Sequence, residues 1–348
     1  MPLRAVIAAL IAAVFGLAGL GVVLLVGDPG DLLEVRNLSI PTLFWSALLL
    51  SLSFLCGGLR LRLLARTLGY RLRLPSAVRA HVLGLFSAAV TPSGTGNAPA
   101  TALMLTRDGL SGPHAWLVAL YIGIVDLLFF AWGVPVALLT LKLSGKLPPS
   151  PWWSVGGVGA SALFFALWYL LAYRLALPGV AYRLCSFRIL RRYRARAERF
   201  ARTFTETVSR LSATTWPEQL VLQVFSASLH LSVFAMFSVI AADLGPTLPP
   251  LSTLATLFLV FIVSHVVPTP GGSGFLELTL PLLLMPERPA AVVPALLVWR
   301  LLSFYSVFLL GPGLGGAALV KRMRPDLSIP PQADTEPDGA RASSKKRF

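Results

Sequence analysis

Two short motifs rich in Gly and Pro hold the residues of this chain that are best suited to bind an anion. Residues 91–96 read Thr-Pro-Ser-Gly-Thr-Gly and residues 269–274 read Thr-Pro-Gly-Gly-Ser-Gly, and each motif interrupts a long apolar stretch. Pro and Gly end helices, and a helix that restarts after such a break presents unpaired N–H groups and a partial positive charge. Glycine also lets a ligand approach the backbone closely. The motifs therefore predict a binding site for an anionic group such as a phosphate.

The candidate binding residues belong to these motifs and to the few charges within apolar sequence. Glu277 lies in the first turn after the second motif, where it either caps the helix or serves substrate binding or proton coupling, and these roles are compatible. Arg300 is the matching cation, and Asp126 is either its structural partner or a functional group. The predicted substrate-binding residues are Thr91, Pro92, Gly94, Gly96, Asn97, Asp126, Thr269, Pro270, Gly271, Gly272, Gly274, Glu277 and Arg300.

The composition places the motifs in a membrane protein. Of the 348 residues, 55% are hydrophobic and 13% are charged, whereas about a quarter of a soluble domain is charged. The net charge of +15 would suggest nucleic acid as the partner of a soluble protein. In membrane proteins, however, Lys and Arg collect in the cytoplasmic loops, and we expect no nucleic-acid partner.

Hydropathy predicts an all-α polytopic protein with about six full spans. They are placed at residues 5–26, 40–58, 114–141, 152–173, 220–242 and 290–320. The first run is interpreted as a retained helix, because it is too long for the apolar core of a signal peptide and no clear cleavage site follows. The excess of Lys and Arg in alternate loops places both termini in the cytoplasm.

The two motifs divide two further apolar stretches into halves that are too short to cross a bilayer. We interpret residues 76–106 and 251–285 as re-entrant helical hairpins, since broken helices are tolerated at membrane depth where they line a cavity. Three spans separate the hairpins, and an odd number inverts their orientation. The two copies would then form an inverted repeat, as in many transporters.

The transmembrane domain is predicted to cover residues 1–324. Within it, residues 181–213 are assigned to the cytoplasmic side as an amphipathic, Arg-rich segment on the inner membrane surface. Residues 325–348 form a disordered tail. The cysteines Cys56 and Cys185 and the four histidines show neither disulfide nor metal-ligand spacing, so no metal and no cofactor are predicted.

Two stretches resemble a known family. Residues 267–277 read Val-Pro-Thr-Pro-Gly-Gly-Ser-Gly-Phe-Leu-Glu and, together with residues 290–298 and Arg300, resemble the second signature of the flippase-like transmembrane region of lysylphosphatidylglycerol synthases. Residues 91–97, followed by residues 105–111 and Asp126, resemble the first. The resemblance covers roughly residues 5–322. It implies a multi-pass protein of the bacterial inner membrane that moves a phospholipid or an isoprenoid-linked lipid.

The chain departs from the family in two respects. The first signature carries Gly-Glu followed shortly by Arg, where this chain has Gly96, Asn97 and Ala100, so the roles of that Glu and Arg are not carried over. No large soluble synthase domain follows the last predicted span, and the aminoacyl-transfer activity of the synthases is not implied.

These features favour transport over catalysis. We expect a lipid flippase or lipid-linked substrate transporter for an anionic phospholipid or isoprenoid-phosphate lipid, passive or driven by an ion gradient, because no nucleotide-binding motif is present. An oligomer is compatible with this function. One alternative is a non-transporting partner subunit or scaffold of a lipid-modifying or glycosyl-transferring enzyme. Another is a membrane-embedded lipid enzyme, for which the sequence offers no recognisable acid–base constellation.

Overall fold

The computed structural model describes residues 33–91, 94–147, 215–265, 267 and 269–311, and the isolated positions 21, 30, 156, 157, 159 and 313. Every regular element in these ranges is helical, so the prediction of an all-α protein is confirmed for them. Apart from these isolated positions, four predicted segments lie outside the described residues, namely the spans at 5–26 and 152–173, the amphipathic segment at 181–213 and the tail at 325–348.

The helices form two groups with the same order of lengths. After a 3-10 turn at Leu33–Asn37, the first group comprises α1 (Ile40–Thr67), α2 (Leu74–Ala89), α3 (Asn97–Arg107) and α4 (Gly112–Leu143). The second group comprises α5 (Trp216–Asp243), α6 (Pro250–Ser264), α7 (Phe275–Leu284) and α8 (Val293–Arg300), which continues through a π-helical turn (Leu301–Tyr305) into α9 (Ser306–Gly311). In each group one long helix, two short helices and one long helical segment follow one another.

Within the described ranges, four helical segments are long and apolar enough to cross a membrane. They are Ile40–Thr67, Gly112–Leu143, Trp216–Asp243 and Pro289–Gly311, and they overlap four of the predicted spans. The short helices α2, α3, α6 and α7 have 16, 11, 15 and 10 residues, fewer than the roughly 20 that a span needs. The prediction that each half is too short to cross is confirmed, whereas re-entrant placement and inversion remain predictions.

The long helices begin where the sequence has a hydroxyl residue shortly before a proline. Ser39 caps α1 by accepting a hydrogen bond from the Thr42 N–H at 3.4 Å, and Glu218 in the first turn of α5 accepts one from the Thr215 N–H at 3.0 Å. Pro occupies the first turn of α1, α4 and α5, where its missing N–H has no partner to lose. The Ser39 N–H also donates to the Asp243 carboxylate at 2.7 Å. This bond ties the start of α1 to the end of α5.

The side chains of α1 are arranged as expected for a helix in lipid. Several of its small residues, such as Ser46, Ser53 and Gly57, are buried, whereas seven large apolar ones in its first 16 residues are exposed. The exposed ones are Ile40, Leu43, Phe44, Trp45, Leu48, Leu52 and Leu55. A Cβ at Gly58 would lie 2.9 Å from the Val78 backbone nitrogen, so glycine permits the close approach of α1 and α2.

Two apolar cores organise the described helices. The first is built by α1, α2, α3 and the first half of α4, and the second by the rest of α4 together with α5, α6, α7 and α8. Helix α5 packs along α1 and also contacts α4, α6 and α8, while the short helices pair as α2 with α3 and α6 with α7. The turn at Pro270–Gly272 contacts α2, which places the second break against the helix that leads into the first.

Candidate functional site

The second break is a glycine turn between α6 and α7. Its three glycines Gly271, Gly272 and Gly274 have φ values of 60°, 67° and 85°, a left-handed region that other residues rarely adopt. A Cβ at Gly271 would lie 2.0 Å from the Phe304 ring, so that position also needs glycine for space. Pro270 begins the 3-10 turn. Helix α7 begins at Phe275, which confirms the predicted restart.

Arg300 joins α8 to this turn through a buried network. Its Nε donates to Glu277 Oε1 at 2.6 Å, and its Nη2 donates to the Gly271 carbonyl at 3.1 Å and to Ser273 Oγ at 3.4 Å. The other carboxylate oxygen of Glu277 accepts the Gly274 N–H at 2.8 Å. The Arg300 and Glu277 side chains are 6% and 2% exposed. Glu277 therefore caps α7 and neutralises Arg300 at the same time.

Three neighbouring features mark this break as more than a turn. The Arg300 guanidinium carbon lies 4.7 Å from the centroid of the Phe304 ring, a cation–π contact. Phe304 belongs to the π-helical turn that follows Arg300, and such turns occur frequently at functional sites. Thr269 Oγ1 is buried and has no hydrogen-bond partner among the described residues. A ligand oxygen at the break would give that hydroxyl a partner.

The first break has a different chemistry. Thr91 Oγ1 donates to the Ser87 carbonyl at 2.8 Å and accepts the Gly96 N–H at 2.8 Å, so one side chain fastens both ends of the turn. Gly94 has a φ of 67°. Helix α3 begins at Asn97 as predicted. The described residues of this motif carry no charged side chain.

Two further details complete the first break. Asn97 Oδ1 accepts a hydrogen bond from Thr101 Oγ1 at 3.2 Å and lies against Gly84, where a Cβ would come within 2.5 Å of it. Pro92 lies outside the described residues. The described residues of this break contribute hydroxyl and amide side chains but no ion pair, whereas the second break contains one.

The two breaks lie on elements that pack together. The turn at Pro270–Gly272 contacts α2. The Phe86 ring of α2 meets the Phe308 ring of α9 edge-on at 5.9 Å. The second break thus packs against the helix that precedes the first break.

Asp126 does not belong to this site, and its predicted pairing with Arg300 is wrong. Asp126 forms an ion pair with Arg60 on α1 and lies 3.4 Å from His230 Nε2 on α5. Arg60 also donates to Ser226 Oγ at 2.7 Å. The helix that bears Arg60 was predicted to end near residue 58, but α1 continues to Thr67 and leaves Arg60 only 1% exposed. Asp126 and Ser226 provide partners for Nη1 of this buried guanidinium.

A separate cavity of about 250 Å³ lies between the end of α4 and the start of α6. Its lining is largely apolar, with Lys146, Ser252, Thr253 and Thr256 as the polar members. None of the predicted binding residues lines it. In the described part of the chain, no cluster of His, Cys, Asp or Glu could hold a metal ion.

Comparisons with known proteins agree with the resemblance seen in the motifs. A family model described as "Lysylphosphatidylglycerol synthase TM region" matches residues 4–311, a range that contains both breaks. A protein of Archaeoglobus fulgidus described as "UPF0104 membrane protein" is 26% identical over 297 residues, which cover 79% of this chain and 86% of that protein.

Proposed function

The chain belongs to the lysylphosphatidylglycerol synthase TM region family, and we propose that it moves an anionic, phosphate-bearing lipid across the membrane. We also propose that it is not an enzyme. The observation that carries the proposal is the buried Arg300, held at a glycine-rich break next to the N-terminus of α7. Guanidinium groups bind phosphate oxygens through paired, charge-assisted hydrogen bonds. A helix N-terminus adds unpaired N–H groups and a favourable dipole.

In the proposed mechanism, the headgroup phosphate competes with Glu277 for Arg300. A buried cation without a counter-ion is strongly unfavourable, so Arg300 exchanges one anion for another instead of losing its partner. Glu277 keeps the Gly274 N–H as a hydrogen-bond donor during the exchange. The Thr269 hydroxyl supplies an additional contact to the headgroup.

The headgroup would bind between the two breaks while the acyl or isoprenoid chains stay in lipid. We propose that the hairpins at residues 76–106 and 251–285 are re-entrant and form an inverted repeat, in a bacterial inner-membrane protein with both termini in the cytoplasm. The repeated order of long and short helices supports the repeat. Movement of one half against the other would then expose the site to each side in turn.

Reconstitution in liposomes tests the proposal. With fluorescent phosphatidylglycerol and a quencher outside, we expect the parent protein to bring the inner-leaflet probe within reach of the quencher. Gly272→Leu should abolish this movement, since its φ is +67° and its Cβ would lie 2.8 Å from the Ser264 Cβ. The matched control is Gly245→Leu, which has the same kind of backbone strain at φ +106° but no atom within 4 Å of the Cβ. It should retain movement.

Two results would contradict the proposal. One is a folded parent that moves neither phosphatidylglycerol nor an isoprenoid-phosphate probe, a result that would favour the partner-subunit alternative. The other is equal activity of Gly272→Leu and the parent, which would place the lipid path away from the second break.

A further inference from the structure

A second buried cluster of charges is not used by the proposed lipid site. It consists of Arg60 on α1, Asp126 on α4 and His230 on α5, with Ser226 as an additional partner of Arg60. The Arg60, Asp126 and His230 side chains are 2%, 22% and 12% exposed. Ionisable side chains within spans are expensive and frequently serve proton movement.

Aromatic rings connect this cluster to a second histidine. The His230 ring stacks on Phe129 at 5.3 Å and lies 5.0 Å from Phe130 and 5.7 Å from Phe261. The exposed His265 lies 5.9 Å from Phe130 and 4.7 Å from Phe261. Phe130 and Phe261 thus contact both His230 and an exposed histidine.

We infer that Asp126 and His230 form a proton-binding site, reached through His265, and that one proton moves together with the lipid. This inference rests on the proposed function. His265 directly follows α6 and lies just before the second break, so the outer end of the proton path is next to the lipid site. Histidine is the side chain whose charge changes most readily near neutral pH.

The hydrogen bonds fix which ring nitrogen of each histidine takes the proton. The 2.8 Å contact of His265 Nδ1 with the Phe261 carbonyl requires an N–H at Nδ1, so Nε2 carries the lone pair. His230 Nε2 lies 3.4 Å from Asp126 Oδ1, and a carboxylate oxygen accepts hydrogen bonds, so Nε2 carries the hydrogen and Nδ1 has the lone pair. Uptake of one proton gives an imidazolium with two N–H groups, and Asp126 then faces two cations, His230 and Arg60.

The shared oxygen of Asp126 explains how the proton would affect the helices. Arg60 and His230 both contact Oδ1 of Asp126. A charged His230 competes with Arg60 for this oxygen, which weakens the link from α4 to α1 and strengthens the link from α4 to α5. Helices α1 and α5 belong to different groups, so protonation shifts contacts between the two halves.

Other groups around the cluster are compatible with proton exchange. The charged or titratable groups facing His230 are Asp126, Arg60 and His265, and His81 of α2 lies within electrostatic range. Arg60 Nε and His81 Nε2 are buried and have no hydrogen-bond partner among the described residues. Polar groups of this kind provide the contacts that an internal water needs.

Lipid distribution under a pH gradient tests the inference. The full-length protein is reconstituted with fluorescent phosphatidylglycerol, and K⁺ with valinomycin clamps the membrane potential. If one proton moves with each lipid, a gradient of one pH unit should enrich the probe up to about tenfold in the leaflet on the alkaline side. Without a gradient the probe should reach equal levels. Trapped pyranine should report a matching proton flux.

Histidine variants assign the path. His230→Gln should remove both the enrichment and the proton flux, and His265→Gln should slow both without changing the elution profile on size exclusion. His114→Gln is the matched control, because His114 contacts Tyr70 and Ser111 outside the cluster. It should keep the enrichment.

Three results would overturn the inference. They are equal leaflet levels under the gradient for a parent that does move lipid, enrichment on the acidic side, and full enrichment by a folded His230→Gln variant. The first of these leaves the proposed lipid transport intact. A parent that moves no lipid with or without a gradient contradicts the proposed function itself.

Discussion

Replacing Glu277 with Gln is expected to lower the free energy of unfolding by about 3–5 kcal/mol and to abolish lipid movement, because no carboxylate then displaces the bound phosphate from Arg300. The substitution removes the negative charge that neutralises Arg300, and an uncompensated buried charge destabilises by that amount. Both side chains are almost fully buried, so solvent would not take over the role of Glu277. Unfolding in detergent and the liposome assay measure the two effects on the same variant.

A double substitution separates the stability of the break from its function. Buried ion pairs replaced by apolar residues of similar volume are often as stable as the original. Glu277→Leu with Arg300→Met should therefore regain most of the lost stability and still move no lipid, since no cation remains to bind the phosphate. A double variant that moves lipid at the parental rate would contradict the proposed role of Arg300.

A nearby carboxylate provides the control. Glu287 is exposed, and substitutions at exposed positions usually change stability by less than about 0.5 kcal/mol. Glu287→Gln should therefore match the parent in both assays. A loss of movement in this control equal to that of Glu277→Gln would mean that general negative charge, rather than the buried pair, is required.

Both breaks could be predicted from the sequence because Pro and Gly act on the backbone locally. The restarts at Asn97 and Phe275 follow directly from the glycines before them. The position of Glu277 in the first turn of α7 likewise predicted its capping role, which the Gly274 hydrogen bond confirms. Such features depend on a few neighbouring residues and need no knowledge of the packing.

The burial of Arg60 could not be predicted in the same way. Arg60 opens an Arg-rich stretch that is typical of a cytoplasmic helix end. Its burial depends on Asp126 and Ser226, which come from helices distant in the sequence. Two signals in the sequence pointed to this burial. The Gly57-Gly58 pair before Arg60 permits close helix packing, and Asp126 needs a cation at the same depth in the membrane.

The contacts of the aromatic rings around His230 could not be predicted from the sequence for a related reason. In a helix that is apolar on every side, periodicity does not distinguish the face toward lipid from the face toward other helices. Phe129, Phe130 and Phe261 therefore carried no sequence signal for their contacts with the histidines. Their arrangement is a property of the packing of α4, α5 and α6.

The second large effect is expected at the first break, where Gly96→Ala should destabilise the protein by about 1–3 kcal/mol and strongly reduce lipid movement. The φ of Gly96 is −74°, so alanine fits the backbone conformation and only space is at issue. A Cβ would lie 2.5 Å from the Ser87 carbonyl oxygen and 2.9 Å from Thr91 Oγ1. Because the Ser87 carbonyl oxygen belongs to the backbone, α2 and α3 must move apart. This movement lowers the free energy of unfolding by the amount typical of overpacking.

Two other glycines distinguish this steric effect from conformational strain and from a general effect of alanine. Gly94→Ala is strained by its φ of +67°, but the nearest atom to its Cβ, the Ala88 Cβ, lies at an ordinary 3.7 Å. The free energy of unfolding should therefore fall by about 1–2 kcal/mol, and the hydrogen bonds of the Thr91 hydroxyl should remain. Gly112→Ala meets no atom within 4 Å and should match or slightly exceed the parent in stability. Lipid movement should fall in the order Gly112→Ala, Gly94→Ala, Gly96→Ala. Parental movement in a Gly96→Ala variant of unchanged stability would mean that the lipid site does not depend on the close approach of α2 and α3, and would leave the second break as the sole determinant of the path.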